Sequence, residues 1–323
     1  MPPLRILATL LFVSIGAVSA QAQAFPSRQV ELIVAYPAGG AADLIARSMA
    51  QRLSEIWKQP VVIDNRGGGA TQIAANAVAQ SPGDGYRLLV TGMETFTISP
   101  FLYAKLPYDP FTDFVPVSSF GYSYQMLMAP SASPFKSIGD VLAEARKQNG
   151  GLQYGTIGMG GSSHINMVLL ETLSGVKLTP IHYRGGAPLL SDLIGDHVPL
   201  GFLSIALVDQ YIKNGQLRAL GVSSKTRLPE FPDVAPIADS VPGYEAVSWF
   251  GLFAPKGTPA DIVRKINADV QKVFAEPEYR EKFLAPNFLN VLPGGPSDFA
   301  AYLKAETAKW SDVIKKADLP KIN

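Results

Sequence analysis

Short apolar runs alternate with longer amphipathic stretches along most of the chain. The first run, residues 30–36 (VELIVAY), is rich in β-branched residues and is closed by Pro37, which predicts a buried strand. From Asp43 onward, apolar residues recur at helical spacing, which predicts a helix. The same alternation continues downstream and predicts βαβ units with parallel strands. The predicted strands cover residues 30–36, 61–65, 87–91, 124–129, 153–157, 178–183, 198–203, 218–223 and 247–254. The predicted helices cover residues 43–57, 71–80, 138–147, 163–174, 187–195, 206–214, a long segment from 258, 277–286 and 297–317.

The chain is longer than one typical domain. Its 323 residues exceed the roughly 100–200 residues of a single domain, so two domains are expected. No low-complexity linker separates them, which favours two lobes joined by short crossing strands. The 28 basic and 27 acidic residues nearly balance and no long Lys/Arg run occurs, which argues against a nucleic-acid partner.

The N-terminus has the three parts of an export signal. Arg5 supplies a positive charge, residues 6–18 are apolar, and Ala22-Gln23-Ala24 matches an A-x-A cleavage site. The apolar run of about 13 residues is shorter than the roughly 20 that a membrane-spanning helix needs. We therefore predict cleavage after Ala24 and, in a Gram-negative host, a periplasmic protein. The chain contains no cysteine, which excludes disulfides, thiolate metal sites, a cysteine nucleophile and a lipid-modified cysteine anchor.

Glycine and small hydroxyl residues gather where the predicted strands end. In α/β sheets ligands bind beyond the carboxyl ends of strands, and a helix N-terminus behind a glycine-rich loop favours an anion. Several such loops converging on one cleft would bind carboxylates without a cluster of arginines. The alternative is that each loop is only a tight βα turn. The loops are residues 37–43, 67–71, 91–97, 158–164, 183–186 and Ser204.

Motifs for catalysis, nucleotides and metals are absent from the sequence. Residues 67–69 (GGG) lack the Lys and Ser/Thr of a P-loop, and residues 155–161 lack dinucleotide spacing. No G-x-S-x-G elbow occurs, and Ser162, Ser163 and His164 adjoin in a way that does not form a triad. The three histidines lack metal-ligand spacing. We therefore predict no catalytic residue, no metal and no cofactor.

Three residues of these loops have a structural and a functional interpretation. Ser162 is expected to be a helix N-cap. Asp43, in the first turn of a helix, stabilises the helix dipole, or it accepts from a bridging water or a ligand donor. Arg184 follows a strand and precedes two glycines, so it either faces a ligand carboxylate or is a solvated surface charge.

The same loops carry a family resemblance that covers residues 26–320 in order. The chain resembles the Bug-type substrate-binding proteins of tripartite tricarboxylate transporters. The matching segments are Tyr36-Pro37-Ala38-Gly39-Gly40, Asp43, Ala46-Arg47, Asn65-Arg66-Gly67-Gly68-Gly69, Asp84-Gly85-Tyr86, Leu106-Pro107-Tyr108-Asp109-Pro110, Asp113-Phe114, Gly161-Ser162-Ser163-His164, Tyr183-Arg184-Gly185, Leu217-Arg218-Ala219-Leu220 and Pro242-Gly243-Tyr244-Glu245.

The resemblance implies a type II periplasmic-binding fold, an α/β architecture with two lobes. Each lobe is a mixed sheet flanked by helices, and the ligand cleft lies between them. Residues 1–24 are the signal peptide, 25–123 and 247–323 form lobe 1, and 124–246 form lobe 2. The implied partners are a small carboxylate and a membrane permease, and a monomer is expected. Backbone amides of loop 37–43, partly through waters, hold the ligand carboxylate. The implied ligand-binding residues are Pro37, Ala38, Gly39, Gly40, Ala42, Asp43, Thr71, Thr95, Ser162, Ser163, His164, Arg184, Gly185 and Ser204.

Two positions depart from the family pattern. Ala42 stands where a small polar residue is usual, and residues 201–204 (GFLS) lack an expected Asp. Together with Phe96, Phe202 and Phe250, these departures suggest a less polar and aromatic carboxylate as an alternative to a di- or tricarboxylate. Two other function classes stay open at this point, an exported ligand sensor for a membrane kinase and an exported hydrolase.

Overall fold

The computed structural model describes residues 25–148 and 151–323 and contains two five-stranded sheets. The first sheet has the strand order β2-β1-β3-β10-β4, and the second has the order β7-β6-β8-β5-β9. The strands are β1 Val30–Val34, β2 Val61–Asn65, β3 Arg87–Gly92, β4 Phe114–Ser123, β5 Gln125–Pro130, β6 Gln153–Thr156, β7 Thr179–His182, β8 Gly201–Ser204, β9 Leu217–Val222 and β10 Ser248–Pro255.

Helices flank both sheets. In the first of them, Ala41–Trp57, the buried side chains recur every three or four residues, so one apolar stripe packs on the sheet while the other face stays polar. The helices are α1 Ala41–Trp57, α2 Gln72–Ala79, α3 Ser99–Leu102, α4 Ile138–Gln148, α5 Ser162–Ser174, α6 Gly186–Ile194, α7 Ile205–Lys213, α8 Ala260–Ala275, α9 Pro277–Tyr279 and α10 Pro296–Lys316. Among the residues that the structure describes, none of these helices has the length and apolar character needed to cross a bilayer.

Both sheets are mixed. In the first, β1 pairs in parallel with β2 and β3, while β10 runs antiparallel to β3 and β4. In the second, β6 pairs in parallel with β7 and β8, while β5 runs antiparallel to β8 and β9. The predicted class, a two-lobed α/β fold with a mixed sheet in each lobe, is confirmed. We call the first sheet with its helices lobe 1 and the second lobe 2.

The chain crosses between the lobes at two adjacent places. A single residue, Tyr124, separates β4 in lobe 1 from β5 in lobe 2. The return crossing lies beside it, because Ser123 pairs with Ser248 at the start of β10. Ser223 ties the two crossings together: its Oγ accepts from Gln125 N at 3.0 Å and its carbonyl accepts from Ala246 N at 3.0 Å. No flexible linker joins the lobes, in agreement with the composition of the sequence.

The lobes also pack against each other. One hydrophobic cluster contains buried side chains of both sheets, including Leu89 and Phe253 of lobe 1 and Leu127 and Phe202 of lobe 2. In the turn before α5, Gly160 lies so close to lobe 1 that an added Cβ would stand 2.7 Å from Leu102 Cδ2. The two halves are therefore in contact through their cores.

Three local predictions were wrong. The ten-residue strand β4 was not predicted, because Pro116, the paired serines and Gly121 interrupt its apolar pattern. The long helix starts at Ala260 and not near Thr258, whose hydroxyl donates to the Pro255 carbonyl at 2.7 Å and caps nothing. Helix α1 begins at Ala41, two residues before the predicted start at Asp43.

Candidate functional site

The site-forming edges of the two sheets face each other across the crossings. The carboxyl ends of β1 and β3 lie at one edge of lobe 1, next to Phe250 at the start of β10, which pairs with Gly92. The carboxyl ends of β6, β7 and β8 lie at the corresponding edge of lobe 2, where Ser204 pairs with Gln125. Because Gln125 follows directly after the crossing residue Tyr124, both edges meet at one cleft.

Asp43 organises the first loop of this cleft. Its side chain is only 2% exposed. One oxygen, Oδ2, accepts from Gly39 N at 2.8 Å and from Arg47 Nε at 2.9 Å, and Oδ1 accepts from Asn65 Nδ2 at 2.9 Å. Asn65 Nδ2 also donates to the Tyr36 carbonyl at 3.1 Å. The carboxylate thereby holds the loop through Gly39 and, by way of Asn65, through the Tyr36 carbonyl, and both of its oxygens accept hydrogen bonds within the protein.

The protonation state of Asp43 follows from these donors. Burial by itself raises the pKa of the carboxyl group, but the hydrogen bonds from Arg47, Gly39 and Asn65 outweigh it and hold the pKa below its ordinary value. Asp43 is therefore an anion at neutral pH. Of the two interpretations that the sequence left open, the contacts support the structural one.

A cluster of threonine hydroxyls lies behind the loop in lobe 1. Thr95 Oγ1 is 2.7 Å from Thr71 Oγ1 and 2.5 Å from Thr91 Oγ1, and all three residues are buried. Thr71 is held at φ 77°, a left-handed conformation that costs a β-branched residue energy. Thr71 and Thr95, both predicted as ligand-binding residues, are thus brought together, and they hydrogen-bond each other.

The predicted lobe 2 residues occupy the first turn of α5. Ser162 accepts from Gln125 Nε2 at 3.1 Å through its Oγ, so the predicted N-cap role is wrong, and the N-cap residue is Gly161. Ser163 Oγ accepts from Ile157 N at 2.8 Å. His164 Nδ1 accepts from Gly160 N at 3.1 Å. Ser163 and His164 thus support the loop at the end of β6, whereas Ser162 connects α5 to Gln125 at the start of β5.

One carboxylate contacts both lobes, and it was not among the site residues predicted from the sequence. Glu94, half-buried after β3, accepts from Tyr36 Oη at 2.7 Å. It also accepts from the backbone N–H of Ser162 in the opposite lobe. Desolvation raises the pKa of Glu94 above its ordinary value. The sequence did contain a signal for this site residue, because Glu94 is an acidic residue directly beyond a central strand.

Three glycines around the cleft border open space. A Cβ added at Gly39, Gly158 or Gly185 would meet no atom within 4 Å. These glycines follow β1, β6 and β7, and their φ angles are 85°, 123° and 118°. Because the loops lack side chains there, a ligand can approach their backbone closely, although the Gly39 and Gly158 N–H groups themselves donate to Asp43 Oδ2 and Thr156 Oγ1.

The remaining predicted residues divide into exposed and buried groups. Residues 37–40 and Arg184 are exposed, and Ser204 is partly exposed. Ala42 is 3% exposed, and its side chain packs in the core of lobe 1. Within the described ranges 25–148 and 151–323, no three His, Asp or Glu side chains cluster closely enough to hold a metal ion.

The aromatic residues that suggested an aromatic ligand lie mostly elsewhere. Phe202 is fully buried in the core, and Phe96 stacks on Phe253 with 4.1 Å between the ring centroids. Phe96 lines a separate cavity of about 390 Å³ in lobe 1, between β4 and α10. Only Phe250 is partly exposed, with its ring 5.8 Å from that of Tyr36. Phe96 and Phe202 therefore do not line the cleft.

Comparison with known proteins agrees with this architecture. The family model of the "Tripartite tricarboxylate transporter family receptor" matches residues 45–319. The chain belongs to this receptor family. A UPF0065 protein in the tcbD-tcbE intergenic region of Pseudomonas sp. (strain P51) is 37% identical over 90% of this receptor and 87% of the relative. Protein BugT of Bordetella pertussis is 29% identical over 97% of both chains.

Solved structures match the receptor over nearly its whole length. R. palustris Rpa4515 with adipate has a TM-score of 0.84 and 34% identity, over 92% of this receptor and all of that chain. MatC from Rhodopseudomonas palustris with bound malate has a TM-score of 0.80 and 29% identity, over 90% of this receptor and all of that chain. The Bug-type resemblance predicted from the motifs is confirmed.

Proposed function

We propose that this receptor is a periplasmic solute-binding protein that captures a small carboxylate and delivers it to a membrane permease of a tripartite tricarboxylate transporter. The observation that carries the proposal is the open space beside the loop backbone at Gly39, Gly158 and Gly185, which follow strands at the facing edges of the two lobes. Backbone N–H groups at helix starts bind carboxylates well. The ligands of the two structural neighbours, adipate and malate, are carboxylates and support the same class.

In this proposal the predicted residues have two different roles. The exposed loop of residues 37–40, with Gly185, Arg184 and Ser204, contacts the ligand. Asp43 instead holds that loop in shape through Gly39 and Asn65. The remaining predicted residues position the backbone of the cleft. They are Ala42, Thr71, Thr95, Ser162, Ser163 and His164. We place the lobe boundaries at residues 123/124 and 246/247, where the chain crosses.

We propose a binding role without turnover. The first two serines of α5, Ser162 and Ser163, engage Gln125 and the backbone of Ile157, and His164 accepts from Gly160 through Nδ1. A hydrolase needs a histidine base that accepts the proton of a serine hydroxyl. Here the serine and histidine side chains make structural contacts instead, which favours a receptor over a hydrolase.

The proposal includes export with cleavage after Ala24. Residues 1–24 lie outside the described part of the chain, whereas Phe25 packs its ring against Tyr86 at 5.0 Å and Trp57 at 6.0 Å between centroids. Intact-mass measurement of the protein from a periplasmic extract is expected to give the mass of residues 25–323. A periplasmic species that retains residues 1–24 would contradict the cleavage site.

A ligand panel tests the function itself. Isothermal titration calorimetry and thermal shift on residues 25–323, with mono-, di-, tri- and aromatic carboxylates, are expected to find at least one acid that binds. At a ligand concentration of about 100 times Kd, stability should rise by about 2.7 kcal/mol. Small-angle X-ray scattering should show no larger radius of gyration with that acid than without it, because ligand favours the closed arrangement of the lobes. The primary amide of the same acid is the uncharged control, and binding of no acid together with ester hydrolysis would refute the receptor role.

A further inference from the structure

Glu94 places a carboxylate between the lobes with no basic side chain to neutralise it. In the described part of the chain, its donors are the Tyr36 hydroxyl at 2.7 Å and backbone amides, including that of Ser162. Within the described residues no basic side chain offsets the charge of this carboxylate when it is ionised, and desolvation raises its pKa above the ordinary value. Any further anion brought to the same place is repelled, because the effective dielectric constant there is lower than in water.

The backbone is shaped to accommodate this carboxylate. A Cβ at Gly92 would lie 2.6 Å from Tyr36 Oη and 3.0 Å from Glu94 Oε2. It would also lie 2.9 Å from the Trp249 carbonyl. Any side chain at position 92 would therefore displace the Tyr36–Glu94 pair. The pair is an integral part of the end of β3 and not a chance surface contact.

Glu94 also takes the position that an anion would occupy on α5. The N-cap Gly161 has no side chain to accept from the first amides of the helix. The Ser162 and Ser163 hydroxyls bond to Gln125 and Ile157 instead. The protein's own carboxylate accepts the Ser162 N–H, so this anion position in lobe 2 is already filled.

Glu94 is close to the loop that we propose holds the ligand carboxylate. Tyr36, whose hydroxyl it accepts from, directly precedes Pro37 in that loop. In the proposed binding mode, a ligand whose carboxylate binds the N–H groups of Ala38 and Gly40 has its other end near Glu94 when that end points to the start of α5, because Glu94 accepts from both Tyr36 Oη and Ser162 N. That other end meets a negative charge and a helix start without a free first amide.

We propose that Glu94 makes this receptor selective for monocarboxylates and that it rejects a second carboxylate at the far end of the ligand. The inference rests on the proposed function and narrows it to one class of acid. It separates this receptor from neighbours solved with the dicarboxylates adipate and malate.

The test compares matched pairs of acids that differ only in the second carboxylate. The pairs are butyrate with succinate, hexanoate with adipate, and benzoate with terephthalate, each titrated calorimetrically into residues 25–323. For the pairs that bind, the monocarboxylate is expected to bind at least roughly tenfold more tightly than its partner. In Glu94→Gln, which keeps the shape and loses the charge, the dicarboxylate should gain at least roughly tenfold and the monocarboxylate should change little.

Tyr36→Phe is the matched control, because it removes the hydrogen bond to Glu94 and leaves the charge. It should keep the preference for monocarboxylates even if overall affinity falls. Wild-type protein that binds a dicarboxylate as tightly as its matched monocarboxylate, or a Glu94→Gln variant with unchanged selectivity, would overturn the inference alone. Binding of none of the six acids by either protein, together with no binding of any acid in the wider panel, would overturn the proposed function.

Discussion

Replacing Asp43 with alanine is expected to lower the free energy of unfolding by about 2 kcal/mol and to reduce carboxylate affinity at least roughly tenfold. The carboxylate is buried, and it accepts from Gly39 N, Arg47 Nε and Asn65 Nδ2. Removing it breaks three hydrogen bonds to a charged acceptor, including those from the exposed Gly39 N and the partly buried Asn65 Nδ2, and hydrogen bonds to charged groups contribute about 1.5–3 kcal/mol each before water replaces the acceptor. Arg47 is half exposed and regains water, which limits the loss.

The loss of affinity has a different origin from the loss of stability. Both oxygens of the buried Asp43 accept hydrogen bonds within the protein, so we expect it to act by fixing the loop whose Gly39 borders open space. Without it the loop gains conformational freedom that binding must remove again, which weakens binding. Urea denaturation gives the stability change, and calorimetry with the acid that binds best in the panel gives the affinity change.

A matched control exists in α8. Asp261 also lies in the first turn of a helix, but it is exposed and forms no ion pair with any other described residue. Asp261→Ala should shift the free energy of unfolding by no more than about 0.5 kcal/mol and leave affinity unchanged. If Asp43→Ala behaves like Asp261→Ala, the carboxylate does not organise the loop.

The order of elements was predictable, whereas one strand was not. Strands such as β1 are continuous apolar runs because both faces of a parallel sheet are covered, and this pattern is visible in the sequence. Strand β4 lies at the edge of its sheet, where Pro116 is tolerated, and its register against β10 shifts in two places. Irregular edge strands carry no simple alternation of apolar and polar residues, so no strand was predicted for this segment.

The loops of the site were predictable, but the side-chain partners within them were not. Glycine-rich segments after strands indicated residues 37–43 and 158–164, because local turns need those residue types. The contacts that give Asp43, Ser162 and Glu94 their roles are made with residues 22, 37 and 58 positions away. Such partners are decided by sheet order and lobe packing. A local pattern therefore located the cleft without assigning the roles inside it.

Stability is expected to fall steeply as the pH drops from about 6.5 to about 4, and His164 accounts for much of this loss. Burial, with a smaller contribution from His182, lowers the pKa of His164 to about 4. The ring is 6% exposed, lies 5.1 Å from the His182 ring and accepts from Gly160 N through Nδ1. Protonation at Nδ1 would abolish that acceptor and place a charge in a buried site.

The direction of this pH dependence follows from the difference in proton binding between the unfolded and folded states. Unfolded His164 takes up a proton near pH 6.5, whereas the folded side chain stays neutral down to about pH 4. The contribution of His164 is therefore fully present above pH 6.5 and is lost as the pH falls to about 4. The difference corresponds to on the order of 3 kcal/mol. Urea denaturation at half-unit steps between pH 4 and pH 7 measures the slope.

Two variants isolate the contribution of His164. His164→Asn keeps an acceptor for Gly160 N in its side-chain carbonyl and does not titrate, so its stability should depend less on pH by on the order of 3 kcal/mol across this range. His197→Asn removes a histidine whose side chain is 71% exposed, and its slope should match that of wild type. Equal slopes in wild type and His164→Asn would mean that other groups, such as His182, set the acid sensitivity. If wild type and His164→Asn bind the acid with equal affinity at pH 7, His164 supports the cleft and does not contact the ligand.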